Sequence, residues 1–263
     1  MASPLWKNGN GHGLVSFLER RMARKALHFV LVDPDKARNG EAARVARAAA
    51  AAGSDALLVG GSTGLTPVSV ARTVESLRAE FSGPILLFPS STRAFSPNAD
   101  GILFLSLLNS RSRRFIVGEQ VRGAEAIRRS GVEPIPTAYL IVAPGRRAGR
   151  VGRATPLPRE RPSAAARYAL AAQMLGMRWV YLEAGSGADQ PVPPGLVSRV
   201  RASVDLPLLV GGGVRTPAQA RALVEAGASA VVTGTAVERA ADPAPLLQGF
   251  ARAIHGASHG PGH

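Results

Sequence analysis

The sequence predicts an α/β fold: a modified (β/α)8 barrel of the TIM type, with an extra helix ahead of its first strand. Three observations carry that prediction. Eight short apolar runs suited to buried parallel strands recur along the chain, segments of helical composition follow them, and glycines or small polar residues gather where the runs end. With 263 residues, 46% of them hydrophobic, the chain is large enough for one such barrel. A doubly wound open sheet is the competing layout, and no GxGxxG follows the first run to support it. Residues 1–255 read as one domain and 256–263 as a disordered polar tail.

The strand-like runs are 27–32, 56–59, 85–88, 101–105, 138–142, 179–182, 208–210 and 230–232. Helical segments are expected at 41–52, 67–81, 121–130, 163–175, 194–203, 217–226 and 243–254, and the extra helix at 11–24. Together these read as eight β-then-α units. Thr66-Pro67 and Thr216-Pro217 look like helix starts, a capping side chain followed by a proline suited to the first turn. Two connections resist the rhythm. Residues 106–115 are polar, and 145–161 are rich in Gly, Pro and Arg and too long for an ordinary link. The second reads either as a mobile active-site loop or as a solvated surface excursion.

Composition removes several classes. Cysteine is absent, so disulfides and thiolate metal sites are excluded, and a cytoplasmic enzyme is the plain expectation. No apolar run spans a bilayer, and the first residues lack the core of a signal peptide. The net charge is +14, but lysine occurs only at 7, 25 and 36 and the arginines are spread along the chain. That spread suits a compositional bias that favours anionic substrates or an anionic membrane surface better than a nucleic-acid footprint.

Candidate chemistry sits at the ends of the runs. Tyr181-Leu182-Glu183 ends the sixth and passes straight into Ala184-Gly185-Ser186-Gly187, so a carboxylate able to accept a proton stands beside a loop of bare N–H groups able to cradle an anion. Gly212-Gly213 and Gly234-Thr235 follow the seventh and eighth runs, where barrels commonly hold phosphate. Asp33-Pro34-Asp35-Lys36 follows the first and is either a Mg²⁺ site or simply a turn. Gly60-Gly61-Ser62 follows the second, with a hydroxyl that could face a metal. Residues alone stop at a phosphate-binding barrel with a carboxylate base and a divalent ion.

Taken in order, several stretches resemble the geranylgeranylglyceryl phosphate synthase family: Phe29–Lys36, Leu58–Ser62, Leu87–Ser91, Phe104–Ser110, Gly118–Gln120, Tyr181–Gly187, Val210–Arg215 and Val232–Thr235. The match is better to the branch with archaeal and bacterial members. The resemblance implies a modified TIM barrel that joins a prenyl diphosphate to sn-glycerol 1-phosphate with Mg²⁺. It further implies that Asp33 and Ser62 hold the metal, that residues 181–187, Gly212, Gly213, Gly234 and Thr235 hold glycerol phosphate, and that Glu183 is the general base. Homo-oligomers, dimer or hexamer, are also expected from it, while the basic charge suggests peripheral contact with an anionic membrane and the scattered arginines with only 5% aromatics argue against a nucleic-acid partner. One departure stands out: a lysine that many members carry two residues before the first Asp is Leu31 here. Candidates for an apolar trench are Phe88, Phe104, Leu105, Leu108 and Tyr139, all equally explicable as core. The rivals are another phosphate-binding barrel of amino-acid or thiamine biosynthesis, and a basic module binding RNA or membrane.

Overall fold

The structure is a computed structural model and describes residues 13–37, 40–61 and 64–258. Strands β1 (Leu27–Val32), β2 (Ala56–Val59), β3 (Ile85–Leu87), β4 (Gly101–Leu107), β5 (Glu133–Ile141), β6 (Trp179–Glu183), β7 (Leu208–Gly211) and β8 (Ala230–Thr233) close in chain order into one parallel barrel. Closure is made by β1 pairing with β8, Leu27 opposite Ala230. The expected barrel is therefore observed.

Helix α1 (Leu14–Met22) precedes the barrel, and its buried Leu14, Val15, Leu18 and Met22 pack on the interior residues Leu27, Phe29 and Ala56. Burial of each such side chain contributes about 1.5–3 kcal/mol. Its first turn is fastened by Glu133, whose carboxylate accepts the N–H of Leu14 at 2.5 Å and of Val15 at 3.3 Å. The outer layer is α2 (Glu41–Ala52), α3 (Pro67–Glu80), α4 (Glu119–Ser130), α5 (Arg146–Val151), α6 (Pro162–Met174), α7 (Pro194–Arg201), α8 (Pro217–Glu225), α9 (Thr235–Arg239) and α10 (Pro243–His255). Thr66 and Thr216 cap α3 and α8, each closing a reciprocal capping box with Ser69 and Gln219 and each followed by proline.

Three expectations are corrected. The unit after β3 has no helix: residues 88–100 run directly to β4 in turns. β5 begins five residues earlier than the apolar run at 138, because Pro134 and Pro136 read as breakers yet sit in the strand. Pro136 O accepts from Arg178 N, so that residue faces the β6 side. β6 pairing begins only at Thr137, so the missing proline N–H falls where no partner strand runs. Finally, 145–161, expected as a mobile active-site loop or a surface excursion, carries regular structure of its own. It contains α5, pairs Val142 with Leu157, and buries Gly149 and Leu157. The expected tail falls mostly outside the described residues, at 259–263.

Candidate active site

Side chains alternate along a strand, so β6 sends Val180 and Leu182 to the helix layer and Trp179 and Tyr181 into the barrel. The next inward position, at the strand's C-terminal end, is Glu183. It is buried, and Oε1 accepts the N–H of Gly185 at 2.5 Å. Burial pushes its pKa up to about 7, against the opposing effect of that N–H and of the hydroxyls of Tyr181 and Tyr139. The Tyr181 hydroxyl is itself buried and stops short of a well-formed hydrogen bond. Both phenols are held well above their usual pKa by burial and by the neighbouring carboxylate, so they remain protonated donors. Phe88 stacks on Tyr181 at 5.2 Å and meets Tyr139 edge-on at 5.6 Å, which fixes both rings beneath Glu183.

The loops of β7 and β8 close around this carboxylate. Gly212 adopts φ 77°, and a Cβ there would overlap Glu183 Oε1 and crowd Gly185 N. Its lack of a side chain therefore keeps the carboxylate in place as well as leaving backbone open to an anion. Gly213, Gly234 and Thr235 line the same cavity, and Ser186 Oγ lies 3.0 Å from Thr235 Oγ1. Gly187 also faces it. Leu182 and Ala184 do not: their side chains are packed into the barrel–helix core.

Across the mouth, Asp33 follows β1. Its Oδ1 accepts the N–H of Asp35 at 3.1 Å and its Oδ2 lies 3.5 Å from Lys36 Nζ, which also donates to Glu238 at 2.8 Å. Asp33 packs against Gly61, where a Cβ would come within 2.6 Å of Oδ1. Ser62 lies outside the described residues. Among the described residues no three His, Cys, Asp or Glu groups form a ready-made metal cage. One hard carboxylate oxygen on the cavity wall fits Mg²⁺, which binds through one or two carboxylates and completes its shell with water and substrate phosphate.

The cavity, about 400 Å³, has two characters. Its polar end is the mouth just described, where Lys36, Arg215 and Arg239 also face inward. Arg215 is held by Ala188 O at 3.0 Å and Asp189 at 3.3 Å. Sequence reasoning passed over Arg215 and Arg239 because single arginines are uninformative in so arginine-rich a chain. The other end is an apolar slot between the 88–100 link and α4, against the outer face of β4: Ala94, Phe95, Ile102, Phe104, Ala126 and Ile127. Of the suggested trench residues Phe88, Phe104, Leu105 and Tyr139 line the cavity, whereas Leu108 packs against the helix-layer core. Asn109 is structural. It donates to Ile141 O at 2.9 Å and Thr155 O at 2.8 Å and accepts from Ile141 N at 3.1 Å, which clamps the α5 segment to β5. That clamp brings Ala148, Val151 and Gly152 into the cavity wall.

The chain matches the PcrB family over residues 19–251. It is 52% identical to the geranylgeranylglyceryl phosphate synthase of Thermococcus gammatolerans, over 85% of this chain and 89% of that one. Among solved structures it is similar to (S)-3-O-geranylgeranylglyceryl phosphate synthase from Thermoplasma acidophilum in complex with its substrate sn-glycerol-1-phosphate. That match has a TM-score of 0.90 and 40% identity, covering 93% of this chain and 99% of that one. A tryptophan synthase from Mycobacterium tuberculosis shares only the fold, with a TM-score of 0.62 at 16% identity over 92% of this chain and 96% of that one.

Proposed function

This chain belongs to the PcrB family, and we infer that it is a prenyltransferase forming an ether bond between sn-glycerol 1-phosphate and a prenyl diphosphate, geranylgeranyl diphosphate by the names of its relatives. The observation that carries this reading is a buried carboxylate poised near neutrality, set between glycine loops on one side and an apolar slot on the other. A phosphate on the loops of β6, β7 and β8 would be met by backbone N–H groups, with Lys36, Arg215 and Arg239 supplying positive charge that Leu31 cannot. The glycerol hydroxyl would then lie against Glu183. As its oxygen bonds to the terminal prenyl carbon and the bond from that carbon to diphosphate breaks, the hydroxyl proton passes to the Glu183 carboxylate. A base near pKa 7 suits that transfer at neutral pH. The Tyr139 and Tyr181 hydroxyls oppose the burial penalty and so favour the ionised form of the carboxylate.

Asp33 and Ser62 are proposed to hold Mg²⁺ together with diphosphate oxygens. When bound it would supply Lewis-acid stabilisation of the leaving oxygens. No helix among the described residues is long and apolar enough to cross a membrane, and we propose a cytoplasmic enzyme. The apolar outer face of α6, where Met174 and the adjoining Leu175 are 78% and 68% exposed, supports assembly into a dimer or hexamer.

The test is incubation with sn-glycerol 1-phosphate, Mg²⁺ and prenyl diphosphates of several lengths, with products read by mass spectrometry. The ether is expected, and its formation should collapse with EDTA and in Asp33→Ala while the fold survives. No ether with any donor would overturn the function. Full activity of Asp33→Ala in limiting Mg²⁺ would remove Asp33 from the metal site.

A further inference from the structure

Beside the active-site mouth lies a second, open and polar hollow built by four segments of the chain, 64–66, 90–93, 112–122 and 151–153. Arg93 comes from the β3–β4 link, Arg114 and Arg122 from the π-helical turn (Arg114–Gly118) and α4, and Arg153 from just beyond α5. Ser90 and Ser91 line its wall. Its one carboxylate is Glu119. Oε1 accepts from Arg114 Nε at 2.6 Å and Arg122 Nη1 at 3.1 Å, and Oε2 from Thr92 N at 2.8 Å. Glu119 thus ties two guanidinium groups to the link that carries Arg93, and Arg114 is braced further by lying over the Phe115 ring at 5.2 Å. Among the described residues no carboxylate pairs with Arg93 or Arg153. Arg153 stands at φ 50°, a left-handed conformation uncommon for a side-chain-bearing residue.

Four guanidinium groups against one carboxylate leave a concentrated positive excess that the described residues do not neutralise. Like charges gathered this way repel unless an anion joins them. The hollow is also continuous with the catalytic cavity: Ser90, Ser91, Thr92, Phe115, Glu119 and Arg122 form a lip common to both. The cavity's apolar slot begins on the same lip, at Thr92 and Phe115. An occupant that is polyanionic at one end and hydrocarbon at the other would satisfy both. Resting on the prenyl-transfer reading, we propose that Arg93, Arg114, Arg122 and Arg153 form the diphosphate subsite of the prenyl donor. They receive the diphosphate as the bond to the prenyl carbon breaks. Arginine suits the task because its planar fork meets phosphate oxygens two at a time.

The probe is inorganic diphosphate, titrated calorimetrically into the intact protein with Mg²⁺ present and compared with sn-glycerol 1-phosphate. Arg93→Ala and Arg153→Ala should each weaken diphosphate binding, and raise KM for the prenyl diphosphate, by about tenfold or more. Glycerol phosphate affinity should stay unchanged. Arg128→Ala, which removes an exposed charge from α4 outside the hollow, should alter neither. Unchanged diphosphate affinity in both subsite variants would overturn the proposal, as would an equal loss of glycerol phosphate affinity. So would weakened binding to phosphatidylglycerol vesicles with diphosphate affinity intact, which would assign the arginines to a membrane contact. A wild-type protein that makes no ether, yet whose diphosphate affinity depends on these arginines, would remove the prenyl-transfer reading and keep the anion site. Ether formation with unchanged donor KM in the variants would do the reverse.

Discussion

Two buried carboxylates stand at opposite ends of the barrel and are treated in opposite ways. Asp55, just ahead of β2 at the N-terminal end, is raised by burial but lowered more by His255, by the His28 N–H and by Arg21, so that its pKa ends below the usual value. It accepts from His28 N at 2.8 Å and His255 Nε2 at 2.7 Å, pairs with Arg21, and lies 3.6 Å from Lys25 Nζ. His28 itself, pressed by burial to a pKa of about 3 in spite of Asp55, stays neutral between Ser54 Oγ and Thr233 Oγ1. Glu183 has burial without such company and rises to about 7. The end that holds the fold together satisfies its charge. The end that does chemistry leaves its charge partly unsatisfied, and the protein is less stable for it.

The largest expected effect comes from Glu183→Gln, which keeps the shape and removes the proposed proton acceptor. Ether formation should fall by about two to four orders of magnitude in single-turnover assays. The same variant should be more stable above neutral pH, by up to about 3 kcal/mol. The folded pKa lies above the unfolded one, so burying the ion costs nothing at low pH, and the cost grows from about pH 4.5 to 7. A Gln variant that is fully active, or less stable than the parent at pH 8, would break the contrast.

Asp55→Ala should do the converse, losing about 3 kcal/mol or more in urea unfolding while turnover per folded molecule is kept. Here the folded pKa is depressed. The contribution is present above the ordinary carboxylate pKa and is lost as pH falls through the lower folded value. The variant's acid unfolding limb should flatten accordingly, and an unaltered limb would show that Asp55 is not the stabilising acid.

Smallest is Tyr139→Phe. Its hydroxyl offsets part of the burial penalty on Glu183, so its loss should move the acidic midpoint of kcat/KM upward from about 7. The change in rate at pH 8 should be less than about tenfold. A midpoint that stays put or moves down would mean that the phenol does not stabilise the ionised base.

These two ends were not equally legible in the sequence. Glu183 could be found because the chemistry is local: an apolar run stops on a carboxylate and glycines follow at once. Asp55 could not, since its partners come from residues 21, 28 and 255 and meet only once the barrel closes. The same reason hid the clamp made by Asn109, whose bonds reach 32 and 46 residues along the chain, and hid the arginine hollow, whose arginines looked like compositional bias until three distant segments converged. The eight strands were readable from period and punctuation. The early half of β5 was not, because a proline's missing N–H matters only if a neighbour is there to want it.

The direct link from β3 to β4 has a thermodynamic consequence. Elsewhere the outer face of the barrel wall is roofed by helices. Here, beside Ile102 and Phe104, part of the roof is a slot that a hydrocarbon chain would complete. A bound donor would then act as a detachable piece of hydrophobic core, and the folded state would gain stability with its concentration through ordinary mass action. Melting temperature measured against donors of increasing length becomes a ruler. It should climb with each added isoprene unit that finds wall to lie against, and level off at the length where the slot ends.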